Sequence, residues 1–246
     1  MGDGARSGTL HNRVLAVLGP AIAAGDYRPG HVFTLDRLEA DFGVSRTVVR
    51  EAVRVLESMG MVVSRPRIGV KVQPATAWNV FDPYLIRWRL AGRGRVAELR
   101  SLTELRAAVE PAAAAAAAVR ASEAGRARLA ELSELLTVTG EAGDLETFLR
   151  HDIEFHRLVL RESGNEMFAG LGDVIAEVLI GRTVHHLMPA HPRPEALRLH
   201  ALVASAIGAG LADVAQAAMR SIVAEVRDEV ARLAEREGEP PTPWDG

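Results

Sequence analysis

The hydrophobic positions of residues 44–56 recur at the three-and-four spacing of an amphipathic helix. The apolar face consists of Val49, Ala52, Val53 and Leu56. Arginine and threonine side chains fall on or near the opposite face, so one side of the helix suits packing and the other suits an acidic partner. Ser45 stands before the first turn, where its hydroxyl can accept from backbone amides, and we therefore expect it to cap the helix.

Shorter patterns on either side of this helix complete a larger unit. Residues 35–42 predict a second amphipathic helix, and Gly43 supplies the turn between the two. Residues 61–64 and 70–72 predict strands that flank a basic turn at residues 65–69. Helix, tight turn, helix and hairpin is the order of a winged helix-turn-helix, whose second helix enters the major groove of DNA. Solvated helices also carry several arginines, but this order along the chain favours the DNA-binding interpretation.

The pattern is helical in the rest of the chain. Residues 10–24 predict one helix, and residues 83–90 predict a short helix within a segment that is too apolar for a free linker. From residue 96 onward the helical spacing repeats, without a convincing strand. The helices predicted there span residues 96–120, 122–136, 145–162, 166–187, 195–207 and 211–235. Helices of this length with short connections favour an antiparallel bundle.

The fold class predicted from these elements is mainly α with two domains. We assign residues 1–75 to a winged helix-turn-helix, which is α+β with a small β-hairpin wing. Residues 76–95 are assigned to a connector and residues 96–238 to an all-α antiparallel bundle. Residues 1–9 and 240–246 are expected to be tails. A length of 246 residues with 48% hydrophobic content is enough for two modest cores.

Composition and charge narrow the class of protein. The chain has no cysteine, which excludes disulfides and thiolate chemistry and fits a reducing compartment. It starts without a signal-peptide pattern and contains no run of about 20 uncharged apolar residues, so we expect a cytoplasmic protein with no membrane partner. The net charge is -3, yet residues 1–75 hold ten basic against seven acidic side chains. The N-terminal part is therefore the part suited to DNA.

Residues 10–73 resemble the DNA-binding domain of the GntR family of bacterial transcription regulators. The resemblance rests on the turn at residues 25–30, the core at residues 42–52 and the wing at residues 69–72. It implies a double-stranded, palindromic operator as partner and a homodimer to bind it. The residues it places at phosphates and base edges are Ser45, Arg46, Thr47 and Arg50, with Arg37, Arg67 and Gly69 as further DNA contacts.

Two positions depart from the family pattern. Asp36 stands where the family usually has an arginine, so either Arg37 takes over the phosphate contact or the contact is lost. Arg67 replaces the usual first glycine of the wing tip.

Within the predicted bundle, Asp152 and His156 are four residues apart and share one helical face. Such a pair can hold a divalent metal or contact an acidic ligand, although it is more often a hydrogen-bonded helix pair. His200 is a third candidate, which alone would more often be a satisfied core histidine. Three further histidines are expected at a helix end and in a proline-rich turn, where exposure is more common than ligation: His185, His186 and His191.

The region of residues 99–230 resembles the all-helical effector domain, of FCD type, in the FadR-like subfamily. Many members hold a metal such as zinc with one aspartate and three histidines. The first three of these positions match Asp152, His156 and His200, but the fourth falls on Ile222, which cannot ligate. Water, Glu225 or an oxygen of the effector would then complete the coordination, and a pocket without metal is equally allowed.

The same resemblance implies an effector. Arg106 resembles the arginine that points toward the effector in such domains, and the alternative is a surface arginine paired with Glu110. Asn165 belongs to the matching 163–165 motif and is placed with the effector-binding residues. The connector at residues 78–88 resembles that of family members regulated by sugar acids. This resemblance suggests that the effector is a small hydroxylated carboxylate.

Together these expectations describe a dimeric repressor that a small carboxylate controls by changing how two winged helices fit the operator. Two other classes of protein are alternatives. A metal-dependent hydrolase would use Asp152, His156 and His200, but no recognisable catalytic motif surrounds them. A ligand-independent DNA-binding protein would be favoured by a dry, apolar bundle interior.

Overall fold

The computed structural model describes residues 3–184 and 192–237. The chain divides into two compact units, Met1–Arg95 and Val96–Gly246. The mainly α fold, with a winged helix-turn-helix followed by a helical bundle, is confirmed. The three histidines that were expected to be exposed lie outside the described residues: His185, His186 and His191.

The described residues of the first unit form four α-helices, a short 3-10 helix (Ala75–Ala77) and a small sheet. The helices are α1 (Asp3–Ala23), α2 (Leu35–Phe42), α3 (Arg46–Ser58) and α4 (Pro83–Ala91). The strands are β1 (Val32–Phe33), β2 (Val62–Arg65) and β3 (Gly69–Val72). They form an antiparallel sheet in the order β1-β3-β2, with Val32 opposite Lys71 and Arg65 opposite Gly69. The predicted hairpin, β2 and β3, is therefore part of a three-stranded sheet with β3 in the centre. The additional strand β1 is only two residues long and carries no periodicity of its own.

Local sequence accounts for the turn that joins α2 and α3. Thr34 caps α2 by accepting a hydrogen bond from Arg37 N at 3.2 Å. Gly43 ends α2 in the left-handed region, with φ 61°, where glycine carries no Cβ penalty. Ser45 does stand at the N-cap of α3, but its hydroxyl makes no capping hydrogen bond, so the predicted cap contact is wrong.

The predicted connector packs into the first unit. Leu85 and Trp88 of α4 are buried in the same core as Leu18 of α1 and Leu56 of α3. Trp88 lies so close to Gly19 that a Cβ atom there would collide with the indole ring. A glycine in α1 thus makes room for the largest side chain of the connector helix. The helix α1 also begins at Asp3, earlier than the predicted tail allowed.

The second unit contains seven helices within the described residues. They are α5 (Arg95–Arg120), α6 (Glu123–Ala142), α7 (Leu145–Glu162), α8 (Glu166–Ala169), α9 (Gly172–Val184), α10 (Pro194–Ala209) and α11 (Ala212–Glu237). α6 runs beyond its predicted end and stops at Gly143, with φ 71°. The single helix predicted over residues 166–187 is two helices, because the chain turns between Ala169 and Gly172.

Alanine sets the spacing in the core of this bundle. Four alanines of α5 are almost completely buried: Ala113, Ala114, Ala117 and Ala118. They let neighbouring helices approach closely, while Phe155 and Leu129 fill the remaining space. The described helices include none that is both long and apolar enough to cross a bilayer.

Candidate functional site

The recognition-type helix α3 is held by its apolar back. Five of its side chains are buried in the first unit: Val48, Val49, Ala52, Val53 and Leu56. Ser45, Arg46, Thr47 and Arg50 are exposed at its N-terminal end or on its outer side. Arg37 at the start of α2 and Arg67 in the wing are exposed as well. The first unit therefore offers solvent the surface that a helix-turn-helix uses on DNA.

Two of these arginines already have acidic partners. Nη1 of Arg46 lies 2.8 Å from Oδ1 of Asp36 and 3.5 Å from Oε1 of Glu39. Nε of Arg37 lies 2.9 Å from Asp41. Asp36, which departs from the family pattern, thus partly neutralises the arginine that begins α3. Pairs as exposed as these contribute little to stability and open readily to another partner.

The wing tip has two unusual residues. Arg67 has φ 64° and is, among the described residues, the sole non-glycine residue with a positive φ. Gly69 has φ 118°, and a Cβ atom there would collide with the carbonyl oxygen of Phe33 in β1. The close approach of β1 therefore requires glycine at position 69. This structural requirement is separate from the DNA contact expected of Gly69.

In the second unit, Asp152 and His156 of α7 meet His200 of α10. One ligand atom from each residue lies within 4.8 Å of the others, and all three residues are buried. Oδ1 of Asp152 is 3.4 Å from Nε2 of His156 and 3.2 Å from Nε2 of His200. Two ligand atoms at about 2.1 Å from a tetrahedral metal are about 3.4 Å apart, so both distances from Asp152 to the histidines suit a zinc-sized ion.

Each imidazole ring has an acceptor oxygen close to its Nδ1, on the side away from Asp152. Nδ1 of His200 is 2.7 Å from the carbonyl oxygen of Ala196, which can only accept, so Nδ1 carries the proton. With Nδ1 protonated, Nε2 of His200 could turn its lone pair to a metal ion held beside Asp152. Nδ1 of His156 is 2.8 Å from Oε2 of Glu110, out of line for a hydrogen bond, and when a metal is bound at Nε2 this carboxylate would favour the proton on Nδ1. A carboxylate behind a ligating histidine is a common outer-shell arrangement at metals.

Arg106 stands behind the same carboxylate. Its Nε donates to Oε1 of Glu110 at 2.7 Å and its Nη2 to Oε2 at 3.3 Å. Arg106 is completely buried, so the surface pair weighed as an alternative is a buried pair. Four atoms at this site have no hydrogen-bond partner among the described residues: Nη1 of Arg106, Oδ1 of Asp152, Nδ1 of His156 and Nε2 of His200. Such buried, unpaired groups are costly unless a ligand completes them.

The pKa values follow from this arrangement. Burial raises the pKa of Glu110, but Arg106 and His156 more than offset it and bring the pKa to about 2. Burial also raises the pKa of Asp152, and the two histidines lower it well below its usual range. For His156, burial lowers the pKa, whereas Glu110 and Asp152 raise it to about 9 when no metal is present. The carboxylates are therefore ionised at neutral pH.

A cavity that opens to solvent adjoins these groups. Its lining includes Arg106, Asp152, His156 and His200, which the sequence had singled out, and Ile222 at the expected fourth position. The other lining residues are Phe148, Leu179, Arg182, Pro192, Arg193, Ala196, Glu225, Val226 and Glu229.

Two sequence-based expectations gain no support from this geometry, and one lining residue was not predicted. Asn165 does not line the cavity; it caps α8 by accepting from Met167 N at 3.0 Å, a structural role that gives no support to its expected place at the effector. Glu225 lines the cavity but is held by Nη1 of Arg193 at 2.9 Å, which competes with its use as a fourth ligand. Arg182 was missed, because no motif surrounds it; its Nη2 lies 3.1 Å from Glu229.

Comparison with known sequences agrees with this geometry. The sequence model described as "FCD domain" matches residues 101–225, about half of the chain. The one described as "Bacterial regulatory proteins, gntR family" matches residues 10–72. The chain belongs to the GntR family. Like its relatives, this GntR-family chain is a DNA-binding transcription regulator with an FCD domain, not an enzyme.

Similar proteins are known from several bacteria. The uncharacterised HTH-type regulator YieP of Escherichia coli K12 is 31% identical over 162 residues, which are 65% of this chain and 70% of YieP. The galactonate operon transcriptional repressor of the same organism is 27% identical over 68% of this chain and 72% of its own. Lar of Listeria monocytogenes shares the GntR fold with a TM-score of 0.57 at 16% identity, over 91% of this chain and 97% of that structure.

The buried pair of Arg106 and Glu110 yields a stability prediction. Glu110→Ala leaves the Arg106 charge buried without its partner, so we expect a loss of about 3–5 kcal/mol in the unfolding free energy of the second unit. Denaturant titration followed by circular dichroism measures this loss. Glu131→Ala is the matched control, because its exposed pair with Arg128 should be worth about 1 kcal/mol or less. Equal losses in the two variants would contradict the buried pair.

Proposed function

We propose that this chain is a homodimeric transcription repressor of the cytoplasm whose operator binding is controlled by a small carboxylate effector in the FCD domain. The observation that carries the proposal is the buried cluster around the cavity, where Arg106, Asp152 and His200 each present an unpartnered polar atom. A site of this kind suits a ligand with an anionic head, because a carboxylate can accept from the free Nη1 of the guanidinium.

On the DNA side, the exposed face of α3 supports contacts by Ser45, Arg46, Thr47 and Arg50. Arginine reads guanine through two parallel hydrogen bonds, and the other groups suit phosphate contacts. The excess of three positive charges in residues 1–75 is modest. A dimer doubles these contacts, and its two-fold symmetry matches a palindromic operator.

The metal is part of the proposal. Asp152, His156 and His200 would hold a divalent ion such as zinc, and Ile222 leaves one side of it without a protein ligand. When bound, the ion would act as a Lewis acid that attracts an effector oxygen. Glu110 orients His156, the Ala196 carbonyl orients His200, and Arg106 directs a donor toward the effector head.

Control of DNA binding requires that the effector prefer one state of the dimer. A difference of about 1–3 kcal/mol between the two states changes operator affinity about 5- to 150-fold. The name of the galactonate operon repressor makes a sugar acid one specific candidate for the effector.

The DNA-contact assignment is tested by Arg50→Ala. We expect operator affinity to fall about 5- to 150-fold, because a bidentate arginine contact contributes about 1–3 kcal/mol. The measurement is a gel shift on the duplex that the wild-type protein selects from a random pool. Arg13→Ala removes the same charge from an exposed position in α1 and should change affinity much less. An unchanged gel shift for Arg50→Ala would remove this residue from the interface.

The pair between Asp36 and Arg46 yields a prediction of opposite sign. Asp36→Ala removes a carboxylate from the DNA-facing surface and frees Arg46, so affinity for any duplex should rise about two- to tenfold at low salt. Asp26→Ala, in the exposed turn after α1, is the control of equal charge. A weaker gel shift for Asp36→Ala would mean that the carboxylate helps Arg46 to bind.

The metal and effector site is tested by His200→Ala. With one of three ligands lost, zinc content after dialysis should fall, and carboxylates should no longer release the protein from its operator. DNA binding without effector should persist. The control is His151→Ala, a histidine of the same helix as His156 that does not line the cavity. Normal zinc content in His200→Ala would exclude the proposed metal centre.

A further inference from the structure

The cavity beside the buried cluster has two chemically distinct parts. The open polar atoms lie together in the cluster of Arg106, Asp152, His156 and His200. Six other lining residues are apolar: Phe148, Leu179, Pro192, Ala196, Ile222 and Val226. The described lining contains no serine, threonine, asparagine, glutamine or tyrosine. Neutral hydrogen-bonding side chains, which a sugar acid would need along its hydroxylated chain, are thus missing from the described walls.

The remaining charged residues of the lining already bind one another. Nη1 of Arg193 is 2.9 Å from Glu225, and its Nη2 is 3.7 Å from Glu229. Nη2 of Arg182 is 3.1 Å from Glu229, and both side chains of this pair are largely buried. A ligand hydroxyl would have to break these pairs to gain a partner. Burying the hydroxyl without one carries a desolvation cost.

The net charge of the metal-binding cluster limits how many acidic groups an effector can carry. When a divalent ion is held, the formal charges of the ion, Arg106, Glu110 and Asp152 leave one positive charge in excess. Arg182 adds no net charge, because the carboxylate of Glu229 balances the positive charge of its guanidinium group. One carboxylate neutralises the excess, whereas a second carboxylate would be placed among apolar side chains, where ionised groups are strongly disfavoured.

We infer that the effector class is a monocarboxylate with a short alkyl or aryl body, in preference to a polyhydroxylated sugar acid or a dicarboxylate. The inference rests on the proposed function, because it takes the cavity as the effector site. The carboxylate meets Arg106 and the metal-binding cluster, and the apolar body packs against Phe148, Leu179 and Ile222. Each methylene that enters the apolar part should tighten binding about fourfold until the cavity is full.

The test uses the full-length, zinc-loaded protein and calorimetric titration with butanoate, hexanoate and gluconate. Gluconate is hexanoate with a hydroxyl on each remaining carbon, so the pair isolates the effect of the hydroxyl groups. Hexanoate should bind at least about tenfold tighter than gluconate and tighter than butanoate. Glutarate, the dicarboxylate of intermediate length, should also bind more weakly than hexanoate.

Variants locate the effect within the cavity. Ile222→Ser and, separately, Val226→Ser should weaken hexanoate binding about tenfold and narrow its advantage over gluconate, with melting curves to check that each variant folds. Leu211→Ser makes the same change at a half-exposed position outside the cavity and should leave the ratio unchanged.

The outcomes separate this inference from the proposal it rests on. Gluconate or glutarate binding as tightly as hexanoate, with operator release, would overturn the apolar effector class and leave the carboxylate-controlled repressor standing. If no carboxylate bound and none released the protein from DNA, the proposed function itself would be overturned.

Discussion

The second unit depends on a chain of buried charges that runs from Arg106 through Glu110 to His156 and Asp152. Arg106 is completely buried and makes two hydrogen bonds to Glu110, whose carboxylate also faces His156. Each of these charges would be costly alone, because removing it from water is repaid only by a partner at close range. These four charged residues therefore stabilise the unit only when all of them are present together. They sit on α5 and α7, and the open end of this chain of charges is where the cavity begins.

In the first unit the requirement is the opposite: the charged side chains expected to contact DNA must remain exposed to solvent. The apolar back of α3, from Val48 to Leu56, is buried against the unit's core and leaves the arginine face exposed. Exposure makes ion pairs such as that of Arg46 with Asp36 weak, so a phosphate or base edge can replace the acidic partner at small cost. If the same pair were buried, separating the two charges would be costly and Arg46 could not contact DNA.

Much of this organisation follows from periodicity. The apolar spacing of α3, the wing strands and most bundle helices was predicted because each pattern is local and long enough to repeat. What escaped prediction depends on contacts that no local pattern encodes. β1 exists because two residues pair with β3, Asn165 is a cap because α8 starts after it, and Arg182 reaches Glu229 across 47 residues. The pairing of Asp36 with Arg46 likewise depends on packing between helices, and the sequence offered Glu110 as a partner of Arg106 but not the burial of the pair.

The cavity draws its walls from five helices, which bears on how a small ligand can act at a distance. Arg106 belongs to α5, His156 to α7, Arg182 to α9, His200 to α10 and Ile222 to α11. A ligand that contacts all of them is sensitive to the position of each helix relative to the others. Packed helices resist continuous deformation and instead exchange between discrete arrangements, so a small change at the cavity is passed on as a helix shift. Such coupling is reciprocal. If a ligand that favours one arrangement lowers the affinity for DNA by some factor, DNA that favours the other arrangement must lower the affinity for the ligand by the same factor.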